Sequence, residues 1–276
     1  MRVAVVTDST SDLPADLAAA HHISVIPTIL VLNGQSYEDG TGISRESFYR
    51  QLPSLKTPPT TAAPASGSFS QLYQQLKISG YDSVVSIHLS SALSAVHDSA
   101  KAAAQPYRDF VHVVDSQQVS MGIGFQALAA AEVAAQGAGV EAVIAAAGET
   151  RRRTRVTAML DTLEYVRRSG RLSWVKAGFG QVLQLKPYLS LRDGVLFRQG
   201  EARSRQKGIQ RLYQYLADQG PLERLAILHS TPETDALEMA KEFALHTLHP
   251  PLIVQVTPII GTHVGPNGLG FIAVVR

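Results

Sequence analysis

Two short hydroxyl-rich segments each follow an apolar, β-branched run of the sequence. Asp8-Ser9-Thr10-Ser11 follows residues 2–7, and Ser90-Ser91-Ala92-Leu93-Ser94 follows residues 84–87. Serine and threonine at a helix start cap free backbone N–H groups, which is the commoner reason for such a pattern. The same N–H groups, together with the helix dipole, also bind anions. If the apolar runs are parallel strands, both segments lie at the strand ends where ligands bind.

A stiff segment bounded by prolines carries a further pair of hydroxyls. Thr60 and Thr61 lie between Pro59 and Pro64, and proline fixes φ and disfavours helix at the residue before it. We therefore predict an extended segment over residues 58–64. A hydroxyl on such a segment can be aimed at a ligand at little entropic cost.

The most unusual segment is rich in glycine and surrounds one histidine. Residues 261–270 read GTHVGPNGLG, so that His263 stands between Gly261 and Gly265. Glycine lets the backbone approach a partner or a ligand closely. We interpret the segment as a loop, either beside a ligand or in a tight turn with a solvent-facing histidine.

Other patterns indicate structure rather than chemistry. Gly122-Ile123-Gly124 matches a relaxed dinucleotide fingerprint, but the preceding strand ends near Asp115, too far upstream for a phosphate-binding turn. We predict close helix packing there. His246 and His249 have the spacing of metal ligands, but two prolines follow and no nearby acid supports them, so we predict no metal site. The sequence has no Gly-x-Ser-x-Gly, Walker A or His-Glu-x-x-His pattern.

Arginines are concentrated in one stretch near the middle of the chain. They could form a solvated face, a phosphate or nucleic-acid surface, or a protein docking site, although single-strand binders interleave more aromatic residues. The residues are Arg151, Arg152, Arg153, Arg155, Arg167, Arg168 and Arg171.

Composition places the chain among ordinary globular proteins. Its 276 residues include 45% apolar and 17% charged residues, with a formal net charge of +2, which excludes wholesale disorder. The absence of cysteine excludes disulfides, thiolate metal sites and a Cys nucleophile. The first residues lack the features of a signal peptide and no run is long enough to span a membrane. We expect a soluble cytoplasmic protein.

The order of predicted elements indicates an α/β fold with two domains. Strands and helices alternate through the first half, as in a parallel sheet covered on both faces. In the second half, Asp193-Gly194 between two apolar runs predicts a hairpin and therefore antiparallel pairing. We predict a three-layer, Rossmann-like parallel-sheet domain over 1–155 and a two-layer α/β domain with a mixed sheet over 156–276. The ligand site is expected between them.

Taken in order along the chain, these segments resemble the DegV family. The resemblance spans nearly the whole sequence, and it rests on the order and spacing of its motifs rather than on any one of them. The matching segments are Asp8 to Pro14, Thr60-Thr61 through Pro64, Ser90 to Ser94, Val114-Asp115-Ser116, Gly122-x-Gly124, Gly170-Arg171-Leu172, Leu185-Lys186-Pro187 and Gly261-x-His263-x-Gly265-Pro266.

The resemblance implies a cytoplasmic lipid-binding protein of the EDD fold that buries one long-chain fatty acid. Such a carrier presents the fatty-acid carboxylate to a separate ATP-dependent fatty acid kinase, and the acyl phosphate formed feeds phospholipid synthesis. The resemblance further implies a protein without catalytic residues of its own, without a cofactor or a metal, without a nucleic-acid partner and without stable membrane insertion.

The family pattern also implies roles for residues of this chain. Thr61 and Ser94 would hydrogen-bond the carboxylate, and His263 and Thr262 would lie near the headgroup. Arg203, with Arg171 as a second candidate, would contact the kinase. The sequence departs from the pattern at Ala62, Ala95-Val96, Ser169 and Asn267, and the first two departures remove hydroxyls beside the headgroup site.

Two other classes of function remain open from the sequence. One is a hydrolase or acyltransferase that uses a serine from residues 90–94 with His263 and an aspartate, since triads are recognised by geometry rather than by sequence. The other is a nucleic-acid or protein interaction module that uses the arginines of residues 151–171.

Overall fold

The computed structural model describes residues 1–171, 175–176 and 185–276. Leu172, one of the residues that carry the family resemblance, lies outside the described residues. The strands are β1 (Val3–Asp8), β2 (Ile23–Ile26), β3 (Ile29–Leu32), β4 (Gln35–Glu38), β5 (Thr60–Ala62), β6 (Ser83–His88), β7 (Val111–Asp115), β8 (Thr154–Met159), β9 (Val175–Lys176), β10 (Lys186–Arg192), β11 (Val195–Ala202), β12 (Leu222–His229), β13 (Leu252–Gln255) and β14 (Leu269–Val275).

Helices and short 3-10 turns connect these strands. The helices are α1 (Ala15–Ala20), α2 (Arg45–Gln51), α3 (Ser66–Ile78), α4 (Val96–Ala104), α5 (Met121–Ala135), α6 (Val140–Arg153), α7 (Glu164–Arg168), α8 (Arg205–Ala217), α9 (Thr234–Phe243) and α10 (Pro258–Val264). The 3-10 turns are Ser9–Ser11, Leu52–Ser54, Gln105–Tyr107 and Ala244–His246.

The chain folds into two compact units. The first unit contains Met1–Ile29 and Ala62–Arg152, and the second contains Leu30–Thr61 and Arg153–Arg276. This division differs from the predicted one, which assigned all of residues 1–155 to the N-terminal domain. The reason is that the chain leaves the first sheet after β2 and contributes α2 to the second unit before it returns.

The first unit is built on a parallel sheet, as the alternation of elements predicts. Its strand order is β2-β1-β6-β7, and every pair is parallel. Strands β1 and β6 are buried along their whole length, because helices cover both faces of the sheet. The predicted close packing of α5 is confirmed, since a Cβ on Gly124 would lie 3.1 Å from the carbonyl oxygen of Ser11.

The second unit contains a mixed sheet of seven strands in the order β13-β12-β14-β8-β10-β11-β9. The predicted hairpin is confirmed: β10 and β11 pair antiparallel, and Asp193 and Gly194 have φ values of +50° and +78° between them. Helices α8 and α9 pack on the sheet through Leu212, Leu216 and Phe243, all buried in one apolar cluster. Helix α6 and strand β8 were not predicted from the sequence.

A small sheet in the order β4-β3-β5 holds the proline-bounded segment. The prediction of an extended conformation over residues 58–64 is confirmed by β5. Strands β2 and β3 are separate elements on either side of Pro27, because proline cannot donate to a sheet ladder.

Candidate functional site

Thr61 and His263 lie in contact in the second unit. The two residues are 202 positions apart in sequence, and Thr61 Oγ1 is 3.2 Å from His263 Nε2. Strand β5 fixes the backbone of Thr61, and α10 carries His263 in its last turn. The structure therefore brings together two residues that the family pattern assigns to one headgroup.

His263 lies in a helix, whereas the surrounding glycines predicted a loop. Pro258 occupies the first turn of α10, where its missing N–H leaves no helical hydrogen bond unmade. The helix ends at Gly265, whose φ of +75° is a conformation that other residues rarely adopt. The loop prediction was wrong for residues 261–264, where Gly261 serves close packing within a helix, whereas residues 265–268 do form the turn before β14.

Two tyrosine side chains pack closely against Gly261, within α10, and Gly265, directly after it. A Cβ on Gly261 would lie 2.5 Å from the hydroxyl oxygen of Tyr49, which donates a hydrogen bond of 3.0 Å to the carbonyl of Val256. A Cβ on Gly265 would overlap the ring of Tyr165. Both glycines therefore allow close packing against α10, and the two tyrosines fix the helix that holds His263.

The electrostatics of the pair keep His263 neutral. Burial and, to a smaller extent, the positive charge of Arg171 together lower the pKa of His263 to about 4. At neutral pH the imidazole therefore carries one N–H and one acceptor nitrogen. When the N–H is at Nε2, it donates to Thr61 Oγ1 and leaves the threonine hydroxyl hydrogen for another acceptor.

Arg171 lies close enough to His263 for its charge to act on the imidazole. Its side chain is half-buried, and one guanidinium nitrogen donates to the carbonyl of Ser169 at 2.5 Å. The family pattern implied only a kinase contact for Arg171. In the structure the positive charge of its guanidinium also acts on the His263 imidazole, and a positive charge in this place favours an anionic ligand.

Thr262 is buried, and its hydroxyl is engaged within α10. The Oγ1 atom donates to the carbonyl oxygen of Pro258 at 2.8 Å, and the residue is 2% exposed. Its side chain lines a cleft of the second unit, together with Leu52, Leu55, Pro58, Pro59, Tyr165, Arg168 and Ser169. The hydrogen of the Thr262 hydroxyl is therefore already used within its own helix.

Ser94 belongs to the first unit, in the turn between β6 and α4. It is half-buried, and its Oγ accepts a hydrogen bond of 3.4 Å from the N–H of Val96, the first residue of α4. Helix α4 therefore begins two residues after Ser94. A hydroxyl that accepts from the backbone in this way still has its hydrogen to donate.

Arg203 is exposed on the surface of the second unit. It stands between the end of β11 and the start of α8, beside Ser204, whose side chain caps that helix. A guanidinium in this position is accessible to a protein partner. The contact of Arg203 with a kinase stays a prediction.

Glutamates neutralise much of the arginine-rich stretch. Arg167 and Arg168 both bind Glu164, at 2.8 Å and 2.6 Å, and Arg153 binds Glu223 at 2.6 Å. Arg152 also pairs with Glu149. These ion pairs favour the interpretation as a solvated face over a surface for nucleic acid.

A buried chain of polar side chains, not predicted from the sequence, crosses the first unit. Tyr73 Oη lies 2.9 Å from Ser86 Oγ, which lies 2.7 Å from His88 Nε2, and His88 Nδ1 lies 2.9 Å from Asp8 Oδ2. Burial raises the pKa of Tyr73 to about 12, so its hydroxyl remains a donor. The signal that could have revealed it is Ser86-Ile87-His88, which puts two polar side chains on one face of a strand.

This chain of side chains has the order of a Ser-His-Asp triad but not its accessibility. Asp8, Ser86 and His88 are each 0% exposed, so a substrate cannot reach Ser86 Oγ. The hydrolase alternative requires a hydrogen bond between His263 and a serine of residues 90–94. In the structure, His263 contacts Thr61 and Ser91 contacts Asp115. Within the described part of the chain, no group of three or more His, Asp or Glu side chains could hold a metal ion.

Comparisons with known proteins agree with this architecture. The family model described as "Uncharacterised protein, DegV family" matches residues 2–276. A DegV domain-containing protein of Streptomyces coelicolor is 37% identical over 281 residues, covering 99% of each chain. Protein DegV of Bacillus subtilis is 34% identical over 276 residues, covering 98% of each chain.

Two solved structures are similar over the whole length of both chains. The structure of DegV from Bacillus subtilis, described as a fatty acid binding protein, has a TM-score of 0.91 and 33% identity, with 100% of each chain covered. A fatty-acid-binding member from Thermus thermophilus has a TM-score of 0.91 and 31% identity, also with 100% coverage of each chain. None of the helices in the described part of the chain combines the length and the apolar character that a membrane-spanning segment requires.

Proposed function

Because this chain belongs to the DegV family, we propose that it binds one long-chain fatty acid and presents the carboxylate to a partner fatty acid kinase. The observation that carries the proposal is the contact between Thr61 Oγ1 and His263 Nε2, with the charge of Arg171 acting on the imidazole. Fatty-acid binding by the relatives from Bacillus subtilis and Thermus thermophilus supports the same ligand class.

The proposed headgroup site uses neutral donors. His263 donates from Nε2 to Thr61, and the Thr61 hydroxyl donates to one carboxylate oxygen. Ser94 donates its hydroxyl hydrogen to the same carboxylate in this proposal. Hydroxyls orient the carboxylate but neutralise it less than a bidentate arginine would, so it remains a better nucleophile.

The acyl chain supplies the affinity in this proposal. Each buried methylene contributes about 0.8 kcal/mol, so a chain of about sixteen carbons offers on the order of 10 kcal/mol before ordering costs. The headgroup contacts are then needed for orientation. Ala62 and Val96, which stand where the family pattern has serine and threonine, reduce the number of polar contacts but leave Thr61, Ser94 and His263 in place.

The kinase partner completes the proposed reaction. The carboxylate oxygen forms a bond to the γ-phosphorus of ATP held by the kinase, and ADP leaves. Arg203 would contact the kinase, and the positive charge of Arg171 would offset the negative charge that develops beside His263. The proposal locates these steps in the cytoplasm, where ATP is available, and assigns the product to phospholipid synthesis.

The direct test combines binding with phosphoryl transfer. Delipidated protein is titrated with oleate and palmitate, and the loaded protein is then incubated with ATP and a purified DegV-dependent fatty acid kinase. We expect saturable binding of one fatty acid per chain and acyl phosphate only when both proteins are present. Ester hydrolysis by the chain alone, with no fatty-acid binding, would contradict the proposal and support the hydrolase alternative.

A further inference from the structure

The turn that carries Ser94 follows the strand β6, which lies between two neighbours that each end in an aspartate. Strand β1 ends at Asp8 on one side, and β7 ends at Asp115 on the other. In the sheet register, Asp115 lies opposite His88, the last residue of β6. The two carboxylates therefore lie on either side of the point where the chain leaves β6. No role for Asp115 follows from the function proposed above.

Asp8 holds the first residues of the turn from the buried side. Its Oδ2 accepts hydrogen bonds from the N–H of Leu89 at 3.2 Å and from His88 Nδ1 at 2.9 Å. Its Oδ1 accepts from the N–H of Thr10 at 3.1 Å. One buried carboxylate thus connects the exits of β1 and β6.

Asp115 holds the middle of the turn from the accessible side. Its Oδ2 accepts from the hydroxyl of Ser91 at 2.6 Å, and its Oδ1 accepts from the N–H of Ser91 at 3.3 Å and of Gln117 at 2.9 Å. Ser91 and Ala92 are exposed, so packing restrains this part of the turn little. Charge-assisted hydrogen bonds are stronger than neutral ones, and here they supply the restraint.

Hydrogen bonds within the turn transmit this restraint to Ser94. The carbonyl of Ser90 accepts from the N–H of Leu93 at 2.9 Å and from the N–H of Ser94 at 3.2 Å. Ser94 Oγ in turn accepts from the N–H of Val96. Ser90 directly precedes Ser91, so the bonds of Asp115 to Ser91 also restrain the carbonyl of Ser90 and, through it, the backbone that carries the Ser94 hydroxyl.

We infer that Asp115 is a positioning residue that aims the Ser94 hydroxyl at an anionic headgroup through its bonds to Ser91. The inference rests on the proposed function. It has an electrostatic signature, because a nearby carboxylate would by charge alone repel a fatty-acid carboxylate. Removal of Asp115 should therefore weaken binding if positioning dominates and strengthen it if only charge matters.

The test is a double-mutant cycle with a graded substitution. Asp115→Ala should weaken oleate binding roughly fivefold, the effect of one misaligned hydrogen bond, and leave oleyl alcohol binding unchanged. Asp115→Asn should stay within about twofold of wild type, because the amide can still accept from both N–H groups and donate to Ser91 Oγ. Asp109→Ala, an exposed aspartate before β7, is the matched charge control.

Coupling to Ser94 separates positioning from a general structural role. In a Ser94→Ala background, Asp115→Ala should cause no further loss of oleate affinity, since its effect acts through the missing hydroxyl. Additive losses, or tighter binding of oleate by Asp115→Ala, would overturn the inference.

Amide hydrogen exchange keeps the inference separate from the proposed function. In the ligand-free protein, Asp115→Ala should speed exchange at Leu93 and Ser94, and Asp109→Ala should not. If the wild-type protein bound no fatty acid, the proposed function would fail, yet unchanged exchange in Asp115→Ala would still overturn the assignment of Asp115.

Discussion

The contact between Thr61 and His263 depends on the protonation state of one imidazole. Burial, together with a smaller contribution from the charge of Arg171, lowers the pKa of His263 to about 4. A neutral ring can donate from Nε2 to Thr61 and so direct the threonine hydroxyl hydrogen outward. Two residues that the sequence separates by 202 positions thereby form one hydrogen-bonding unit.

The Thr61 hydroxyl should contribute directly to headgroup binding. Thr61→Val keeps the shape of the side chain and removes its hydrogen bond, so we expect oleate affinity to fall roughly tenfold, the worth of a hydrogen bond to a charged group. Thr60→Val changes the exposed neighbour in the same strand and is the control. Calorimetric titration of delipidated protein measures both, and equal losses in the two variants would contradict the assignment.

His263 should make the stability of the ligand-free protein depend on pH. Its pKa of about 4 in the folded state lies below the ordinary 6.5, so between these values the unfolded chain binds a proton that the folded protein does not. Stability attributable to His263 is therefore complete above about pH 6.5 and decreases as the pH falls toward about 4.

Denaturant unfolding at about pH 7.5 and about pH 5 tests this dependence. Between the two, wild-type protein should lose on the order of 1–2 kcal/mol more free energy of unfolding than His263→Gln, after allowance for solvent screening. The variant retains the other titrating groups, which provides the internal control. An identical loss in both proteins would show that the pKa of His263 is not lowered.

At the scale of elements, the position of α10 is fixed by tyrosine side chains that can pack closely because Gly261 and Gly265 have no side chain. Gly261→Ala would place a Cβ 2.5 Å from the Tyr49 hydroxyl oxygen, and Tyr49 is itself bonded to Val256. We expect a loss of about 1–3 kcal/mol in the free energy of unfolding, as for other overpacked sites. Oleate binding should weaken as well, because the helix that carries His263 must shift.

Gly148→Ala is the matched control for this substitution. Gly148 lies within α6, and a Cβ there would meet no atom within 4 Å. Alanine is the better helix former, so the variant should be as stable as wild type or up to about 1 kcal/mol more stable. Thermal and denaturant unfolding compare the two, and a harmless Gly261→Ala would contradict the packing account of α10.

The sequence predicts the elements better where a local signal decides them. Alternating apolar runs predict the parallel sheet, Asp193-Gly194 predicts the hairpin, and the prolines predict β5. Prediction fails where long-range packing decides, because the glycines around His263 are explained by Tyr49 and Tyr165, which lie far upstream in the chain. Helix α10 could not be recognised without those contacts.

The same holds for the site residues: the sequence identifies some of them, and others are recognised only from contacts between distant parts of the chain. The resemblance selects Thr61 and His263, but only the fold places Arg171 where its charge acts on the imidazole. Only the fold, likewise, shows that the Thr262 hydroxyl is bonded to Pro258 within its own helix. The assignment of residues 30–61 to the second unit also depends on contacts that no local pattern reveals.

At the scale of the whole molecule, carrying a ligand and docking a kinase should be separable. Arg203 is exposed and distant in sequence from Thr61 and His263, so Arg203→Ala should leave oleate affinity unchanged and reduce acyl-phosphate formation at least roughly tenfold. Arg192→Ala, an exposed arginine at the other end of the same hairpin, should change neither. Kinase-coupled assays at several carrier concentrations measure the effect, and equal activity of the two variants would exclude Arg203 from the docking surface.

Native mass spectrometry of the purified protein, followed by denaturation and lipid extraction, tests the central claim most directly. The account predicts a mass increment of one fatty acid per chain and the recovery of a free long-chain acid in equal molar amount. Its chain length and unsaturation would identify the natural ligand. A protein that carries no lipid, and that still shows no increment after incubation with oleate or palmitate, would contradict the account.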